Sequence, residues 1–182
     1  MPRINTVEAG GANVAAFLDM LAYSEIGPEM LSDPRSDRGY CVLVGSLPGA
    51  LKTFSDYSHH PLPPGKAIEY SEGVWSTAAG RYQILSRYWP HYQNQLGLHD
   101  FGPVNQDRYA IQQFREQHAL DDIKDGRFRE AVEKCRNIWA SLPGAGYGQR
   151  EHDTATLARA YRDAGGSFED DTLTWYESVV KT

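Results

Sequence analysis

The first strong hydrophobic pattern in the chain covers residues 13–28 and predicts one amphipathic helix. Its apolar side chains recur at spacings of three and four, which line one helix face, and they are Phe17, Leu18, Leu21 and Ala22. Glu25 continues this stripe one turn later, and Gly27 with Pro28 then ends the helix. The pattern therefore predicts an acid that lies in the last helical turn and continues the apolar face.

The predicted position of Glu25 suggests a chemical role. Unpaired carbonyls make the potential negative at the end of a helix, and apolar neighbours reduce solvation. Both effects disfavour the ionised form, so we expect a raised pKa for Glu25. A carboxyl group that keeps its proton near neutral pH can act as a general acid on a sugar oxygen. The simpler alternative is an exposed glutamate in a fraying turn.

Short β-rich segments follow a polar loop and predict a small antiparallel hairpin. Residues 39–45 and 53–58 would form its strands, and glycine and proline residues between them mark the turn. Residues 58–66 contain three prolines and a glycine, which predicts an irregular surface loop. His59 and His60 have no carboxylate or thiol at ligand spacing, so we predict no metal site there.

Helical patterns dominate the rest of the chain. We predict helices over residues 76–96 and 105–120, with Pro90 ending or kinking the first of them. A third helix begins after the N-cap Asp153. The clearest helical stripe predicts four core positions, which are Phe128, Val132, Cys135 and Trp139.

The two ends of the chain are expected to lie outside this core. Residues 1–12 contain few apolar groups and are expected to form a loose arm. Residues 167–182 form an extended tail, whose apolar side chains dock either on the body of the protein or on a partner. No repeat or linker divides the chain, so we predict a single domain over residues 1–182.

Composition excludes several classes of function. With 182 residues, 41% hydrophobic and 23% charged, the chain can form a substantial core. A formal net charge of −6 without a basic run argues against nucleic-acid binding. No segment has the pattern of a membrane span or a secretion signal, so we expect the protein in the cytoplasm where it is made. Cys41 and Cys135 are predicted to be buried thiols, with a single bridge as the alternative.

Four blocks of sequence resemble, in the same order, the lambda-type phage endolysins. The blocks are AFLDMLAYSE at residues 16–25, AAGRYQILSRYW at 78–89, QLGLHDF at 95–101 and NIWASLPGAGYGQ at 137–149. The resemblance implies a lysozyme-like α+β fold that is mainly helical, with a small antiparallel β-hairpin lobe and a cleft between the lobes. It also implies lytic transglycosylase activity on bacterial peptidoglycan, with no cofactor. The loop at residues 58–74 and the tail after Gly166 depart from the family pattern.

The resemblance implies roles for particular residues. Glu25 corresponds to the catalytic glutamate of the family. Residues 80–83, GRYQ, are similar to a Gly-x-x-Gln element that soluble lytic transglycosylases use along the glycan, and Tyr147 is similar to their cleft tyrosine. For Tyr82 and Gln83, packing and local capping are the alternative. The full set of predicted substrate-binding residues is Ser24, Tyr40, Thr77, Tyr82, Gln83, Tyr147 and Gln149.

Three functions remain open at this point. In a lytic transglycosylase one acid is enough, because the C6 hydroxyl of muramic acid attacks within the same sugar and leaves a 1,6-anhydro end. A hydrolytic muramidase of the same fold would need a second carboxylate, for which Asp33, Asp37 and Asp56 are candidates, although each is otherwise an ordinary turn residue. The alternative from another class is a non-catalytic wall-binding or virion protein.

The implied partners follow from the same resemblance. The substrate would be the glycan strand of peptidoglycan. Because no export signal is apparent, we expect a holin-type membrane partner to release the enzyme from the host cytoplasm to the cell wall. We predict a monomer that binds neither metal nor nucleic acid.

Overall fold

Helices make up most of the regular structure in residues 1–146 and 152–180, which the computed structural model describes. The chain divides into two compact units. Met1–Ser24 and Ala110–Thr182 form the first unit, and Glu25–Tyr109 forms the second.

The first unit contains only helices in its described part. They are α1 (Thr6–Ala9), α2 (Ala12–Ile26) as far as Ser24, the end of α5 (Pro103–Glu116), α6 (Leu120–Asp125), α7 (Phe128–Cys135), α8 (Thr154–Asp163) and α9 (Asp170–Val180).

The helix predicted over residues 13–28 is present as α2 and ends at Ile26. The stripe of Phe17, Leu18, Leu21 and Ala22 is fully buried. The prediction of an amphipathic helix is wrong, however, because Val14, Ala16 and Met20 on its other faces are fully buried too. A helix that is apolar almost all round is typical of a core helix.

Aromatic rings form the core of the first unit. The Phe17 ring lies edge-on to Phe114, with centroids 5.2 Å apart, and also contacts Phe128 and Tyr161. The four predicted core positions, Phe128, Val132, Cys135 and Trp139, are confirmed as buried, although α7 ends at Cys135 and Trp139 lies beyond the helix. Both cysteines are free buried thiols.

Both terminal segments contain helices in the part of the chain that the structure describes. Residues 1–12, expected to form a loose arm, contain α1, which the Asn5 side chain caps by accepting from the Glu8 amide at 2.8 Å. In the tail, Phe168 stacks on Tyr161 at 5.3 Å and α9 follows. The predicted N-cap of α8 is confirmed, because the Asp153 side chain accepts from the Thr156 amide at 2.8 Å.

The second unit holds all the strands that the structure describes. Its elements are α3 (Pro28–Ser32), a 3-10 segment (Pro34–Gly39), β1 (Ile68–Ser71), β2 (Val74–Ser76), β3 (Ala78–Ala79), β4 (Ile84–Leu85), α4 (Trp89–Leu96) and the first part of α5. β1 pairs with β2 and β3 pairs with β4, both antiparallel.

The predicted hairpin is only partly present. Residues 39–45 and 53–58 meet in one antiparallel bridge, Val42 with Thr53. The regular hairpin is formed instead by β1 and β2, in a stretch that the sequence pattern did not identify as strand. Most of its residues are exposed on both faces, so the alternation of apolar and polar residues that marks a half-buried strand is missing.

The helix predicted over residues 76–96 is wrong in its first half. That half forms β3, a turn and β4, and α4 begins only at Trp89, with Pro90 in its first turn. Gly80 and Gln83 have φ angles of 78° and 47°, which are left-handed and incompatible with a continuous helix. The helix predicted over residues 105–120 is present as α5.

Within residues 1–146 and 152–180, no helix is both long enough and apolar enough to cross a membrane.

Candidate active site

Glu25 lies in the last turn of α2 and belongs to the second unit. Its side chain is neither buried nor fully exposed, whereas the next residue, Ile26, is buried. Gly27 follows with a φ of 87°, a conformation that ends the helix. The acid therefore stands where the unpaired carbonyls of the helix end make the potential negative, with part of its surface open to solvent.

The turn at residues 80–83 connects β3 to β4. The backbone amide and the Nε2 of Gln83 both donate to the Gly80 carbonyl, at 3.1 and 3.0 Å. The Gly80 amide donates to the Val42 carbonyl at 2.8 Å. A Cβ atom on Gly80 would overlap the amide group of the Gln106 side chain, so only glycine fits there. The turn is therefore held tightly, and Gln83 remains half-exposed.

A buried carboxylate lies beneath this turn. Asp107 is completely buried, and its Oδ1 accepts from the hydroxyls of Tyr40 at 2.7 Å and Tyr82 at 2.6 Å. Burial, with the charge of Asp107, raises the pKa of Tyr82 well above its usual value, so the phenol stays protonated. Tyr82 is 1% exposed and Tyr40 is not exposed at all. The sugar contact predicted for these tyrosines would need surface that the structure keeps buried.

Two further buried polar residues complete the network, and the sequence patterns did not single out either. The Arg81 guanidinium donates through Nη1 to the Arg38 carbonyl and lies over the Tyr40 ring, 5.2 Å from its centroid. The Gln106 side chain donates to the Tyr40 carbonyl at 3.0 Å and accepts from the Arg81 amide at 2.9 Å. In this way α5 fixes both the turn and Tyr40.

One signal in the sequence could have revealed Asp107. It precedes Ala110, Ile111 and Phe114 by three, four and seven residues, so it continues an apolar helix face as Glu25 does. All three of those residues are buried. An acid that continues an apolar helix face is expected to be buried and therefore to need hydrogen-bond donors around it.

The other predicted binding residues have different surroundings. Ser24, in the first unit, is buried and its hydroxyl lies 2.7 Å from the Ser141 hydroxyl. Thr77 is half-buried and its hydroxyl accepts from the Ser86 amide at 3.2 Å, which braces the β3–β4 turn. Tyr147 and Gln149 lie outside the described residues.

The candidate second carboxylates take part in local bonds. Asp33 forms an ion pair with Arg35 at 2.6 Å, and hydrogen bonds from Arg35 lower the pKa of Asp33 to about 2. Asp56 is exposed and accepts from the Ser58 amide at 2.8 Å. Asp37 accepts from the Tyr57 hydroxyl at 2.9 Å. All three carboxylates therefore help to hold turns of the second unit.

The two adjacent histidines differ in burial. His59 is exposed, whereas His60 is buried with Nε2 placed 2.8 Å from the Ile84 carbonyl and Nδ1 accepting from the Leu62 amide. Burial lowers the pKa of His60, and these two bonds suit the neutral ring. Among the described residues, no group of three or more His, Cys, Asp or Glu side chains could hold a metal ion.

The fold is that of phage lambda lysozyme. A solved structure titled bacteriophage lambda lysozyme complexed with a chitohexasaccharide matches with a TM-score of 0.76 and 44% identity, over 93% of this chain and all of that one. A second structure of lysozyme from bacteriophage lambda matches with a TM-score of 0.74, the same identity and the same coverage. Matches of this identity and coverage show a lysozyme-like α+β enzyme that cleaves glycosidic bonds.

Sequence comparisons give the family. A model of the Endolysin family matches residues 15–168. The chain is 53% identical over 169 residues to the endolysin of Escherichia phage P2, covering 91% of this chain and 98% of that protein. It is 47% identical over 155 residues to the endolysin of Escherichia phage lambda, covering 85% and 92%. The chain therefore belongs to the endolysin family of phage enzymes, which act on the peptidoglycan of the cell wall.

Proposed function

We propose that the protein is a lytic transglycosylase in which Glu25 is the only catalytic acid. The observation that carries the proposal is the position of Glu25 in a family whose enzymes degrade peptidoglycan. It is a partly exposed carboxyl group at the carbonyl end of a core helix. A general acid needs the protonated form of such a group, and the negative potential at a helix end works in favour of that form.

The proposed reaction uses the carboxyl group of Glu25 twice, first as an acid and then as a base. The carboxyl group first donates its proton to the oxygen that links N-acetylmuramic acid to N-acetylglucosamine, and the bond from that oxygen to C1 breaks. The resulting carboxylate then accepts the proton of the C6 hydroxyl of the same muramic acid. The oxygen of that hydroxyl forms the new bond to C1. The product is a 1,6-anhydro end, and the intramolecular attack makes a bound water unnecessary.

The proposed substrate is the glycan strand of peptidoglycan. The lambda lysozyme structure that matches this chain holds a chitohexasaccharide, an oligosaccharide that lacks the lactyl group of muramic acid. In this chain Gln83 and Thr77 are the predicted contact residues that keep some side-chain exposure in the second unit. Because Ser24, Tyr40 and Tyr82 are buried, we propose that they stabilise the structure and do not contact sugar. Contacts of Tyr147 and Gln149 with sugar remain proposals.

The local bonds of the aspartates favour one acid over two. The Asp33 carboxylate is paired with Arg35 and that of Asp56 caps a turn, so neither is poised to activate water. A hydrolytic muramidase therefore remains the weaker alternative. A purely wall-binding role is weaker still, because a binding protein has no need of an acid in the last helical turn, where Glu25 lies.

We further infer the cellular course of the reaction. A holin-type partner would permeabilise the membrane, and the enzyme, as a monomer, would then pass from the host cytoplasm to the wall. Delayed lysis in cells that express the protein without a membrane-permeabilising partner would support this course, and equally rapid lysis would contradict it.

The test of the proposed reaction is the mass of its products. Purified peptidoglycan is digested with the wild-type protein, and the fragments are analysed by mass spectrometry before and after borohydride reduction. The proposal predicts fragments that lack one water and resist reduction. Fragments that contain this water and are reduced would identify a hydrolase and overturn the proposal.

A further inference from the structure

The turn after the 3-10 segment contains two consecutive non-glycine residues in the left-handed conformation. Asp37 has φ 46° and ψ 48°, and Arg38 has φ 59° and ψ 31°. A short side chain such as that of aspartate can compensate by local hydrogen bonding, but that of arginine is poorly suited to do so. A disfavoured backbone conformation persists only where its surroundings enforce it, and such residues cluster at functional sites.

Three groups hold this turn in place. The Tyr57 hydroxyl donates to the Asp37 carboxylate at 2.9 Å, and the buried Arg81 guanidinium donates to the Arg38 carbonyl. On the other side, the Tyr40 carbonyl accepts from the Gln106 side chain at 3.0 Å. The backbone is therefore anchored before, at and after Arg38, and the Arg38 side chain is left exposed.

The same turn packs against the end of the helix that carries Glu25. Gly39 lies so close to its neighbours that an added Cβ would stand 3.3 Å from Ile26 Cγ1 and 2.9 Å from Leu31 Cδ2. Ile26 directly follows Glu25. Gly39 directly follows Arg38, so this contact joins the residue next to Arg38 with the residue next to Glu25.

Arg38 differs from Arg35, a cation three residues earlier in the chain, in its contacts. Arg35 forms an ion pair with Asp33 at 2.6 Å. Across residues 1–146 and 152–180, no carboxylate pairs with the Arg38 guanidinium. An exposed, planar guanidinium on an anchored backbone, with no ion-pair partner among the described residues, is well suited to bind a carboxylate of a ligand.

We propose that Arg38 binds a carboxylate of the lactyl-peptide group of peptidoglycan and so determines substrate specificity. This inference rests on the proposed function. Muramic acid differs from the sugar of chitin by its lactyl ether, which carries the peptide stem and its free carboxylates. Glycine or asparagine would adopt the left-handed conformation with less strain. Backbone conformation therefore does not explain an arginine at position 38, whereas binding of an anionic group by its side chain does.

The test is Arg38→Asn, which removes the charge and keeps a residue that tolerates the left-handed conformation. Steady-state kinetics are measured on soluble peptide-bearing glycan strands, and the affinity for uncharged chitohexaose is measured by calorimetry. We expect KM on the peptide-bearing strands to rise about tenfold, the usual effect of losing one charged hydrogen bond. The affinity for chitohexaose should stay within about twofold. Arg38→Lys should recover part of the loss, since it restores the charge without the planar fork.

Arg35→Asn is the matched control. It removes the same charge three residues earlier in the chain, from a side chain that is already paired with Asp33. Its KM should stay within about twofold of wild type. The proposal is overturned if the two variants have the same KM, or if Arg38→Asn weakens chitohexaose binding in parallel with KM, which would indicate a purely structural role. Product masses separate this result from the proposed function: hydrated products would refute the transglycosylase and leave the KM difference at Arg38 intact.

Discussion

Glu25 and Asp107 both continue an apolar helix face, but their surroundings differ. Asp107 is completely buried and accepts from two tyrosine hydroxyls, so its carboxylate is committed to the structure of the second unit. Glu25 keeps part of its surface exposed. The sequence pattern can identify both acids as unusual, but it cannot tell them apart, because burial and bonding depend on residues that are distant in the chain.

A prediction at Tyr82 separates a structural role from sugar binding. Tyr82→Phe leaves the buried Asp107 with one donor fewer, so the free energy of unfolding should fall by about 1–3 kcal/mol while KM stays unchanged. Urea unfolding and steady-state kinetics measure the two quantities. The control is Tyr88→Phe, since Tyr88 is 45% exposed and its change should cost little. Unchanged stability with a raised KM would show that Tyr82 contacts the substrate.

At the scale of elements, local periodicity predicted helices well and strands poorly. The helices α5 and α8 and the buried stripe that begins in α7 were predictable because their apolar residues repeat on one face, and α2 because its apolar run ends at Gly27 and Pro28. The stretch that forms β3 and β4 has helical propensity, yet its conformation depends on backbone bonds to Val42 and on contact with Gln106. Tertiary contacts of this kind override local preference and leave no periodic signal.

The turn between β3 and β4 gives a prediction at this scale. Gly80→Ala forces a left-handed alanine and a clash with Gln106, so the free energy of unfolding should fall by about 3 kcal/mol. Gly65→Ala is the control, because Gly65 has a φ of 83° but open space around it, and it should cost only about 1 kcal/mol. Chemical denaturation compares them. Equal losses would show that the close packing at Gly80 does not hold the turn.

At the scale of the whole molecule, the acid stability of the protein should depend on a buried charge in the first unit. Asp122 is 6% exposed and receives hydrogen bonds from Arg127 and Lys134. Burial alone would raise its pKa, but the bonds from Lys134 and Arg127 outweigh burial and hold the pKa of Asp122 below the ordinary 3.8. The folded state therefore binds this proton less readily than the unfolded state, so the stabilisation is present above the ordinary pKa and is lost as the pH falls below it.

The corresponding prediction concerns unfolding below about pH 4. The stability of the wild-type protein should fall more steeply with pH there than that of Asp122→Asn, which has no such proton to take up. The free energy of unfolding is measured by urea denaturation from neutral pH downwards, with Asp121→Asn as the control on an exposed neighbour. Parallel curves for wild type and Asp122→Asn would contradict the assignment.

The family and its fold could be inferred from four blocks of sequence, whereas the partners of the individual site residues could not.

The central claim is that one proton donor, Glu25, carries the reaction, and Glu25→Gln tests it most directly. The variant keeps the shape of the side chain and removes the proton. It should therefore fold and bind peptidoglycan as the wild type does, while its rate of lysis, measured as loss of turbidity, falls by at least about a hundredfold. Glu29→Gln, which changes an exposed acid on α3, should lyse at the wild-type rate. Lysis by Glu25→Gln at a rate close to that of Glu29→Gln would contradict the account.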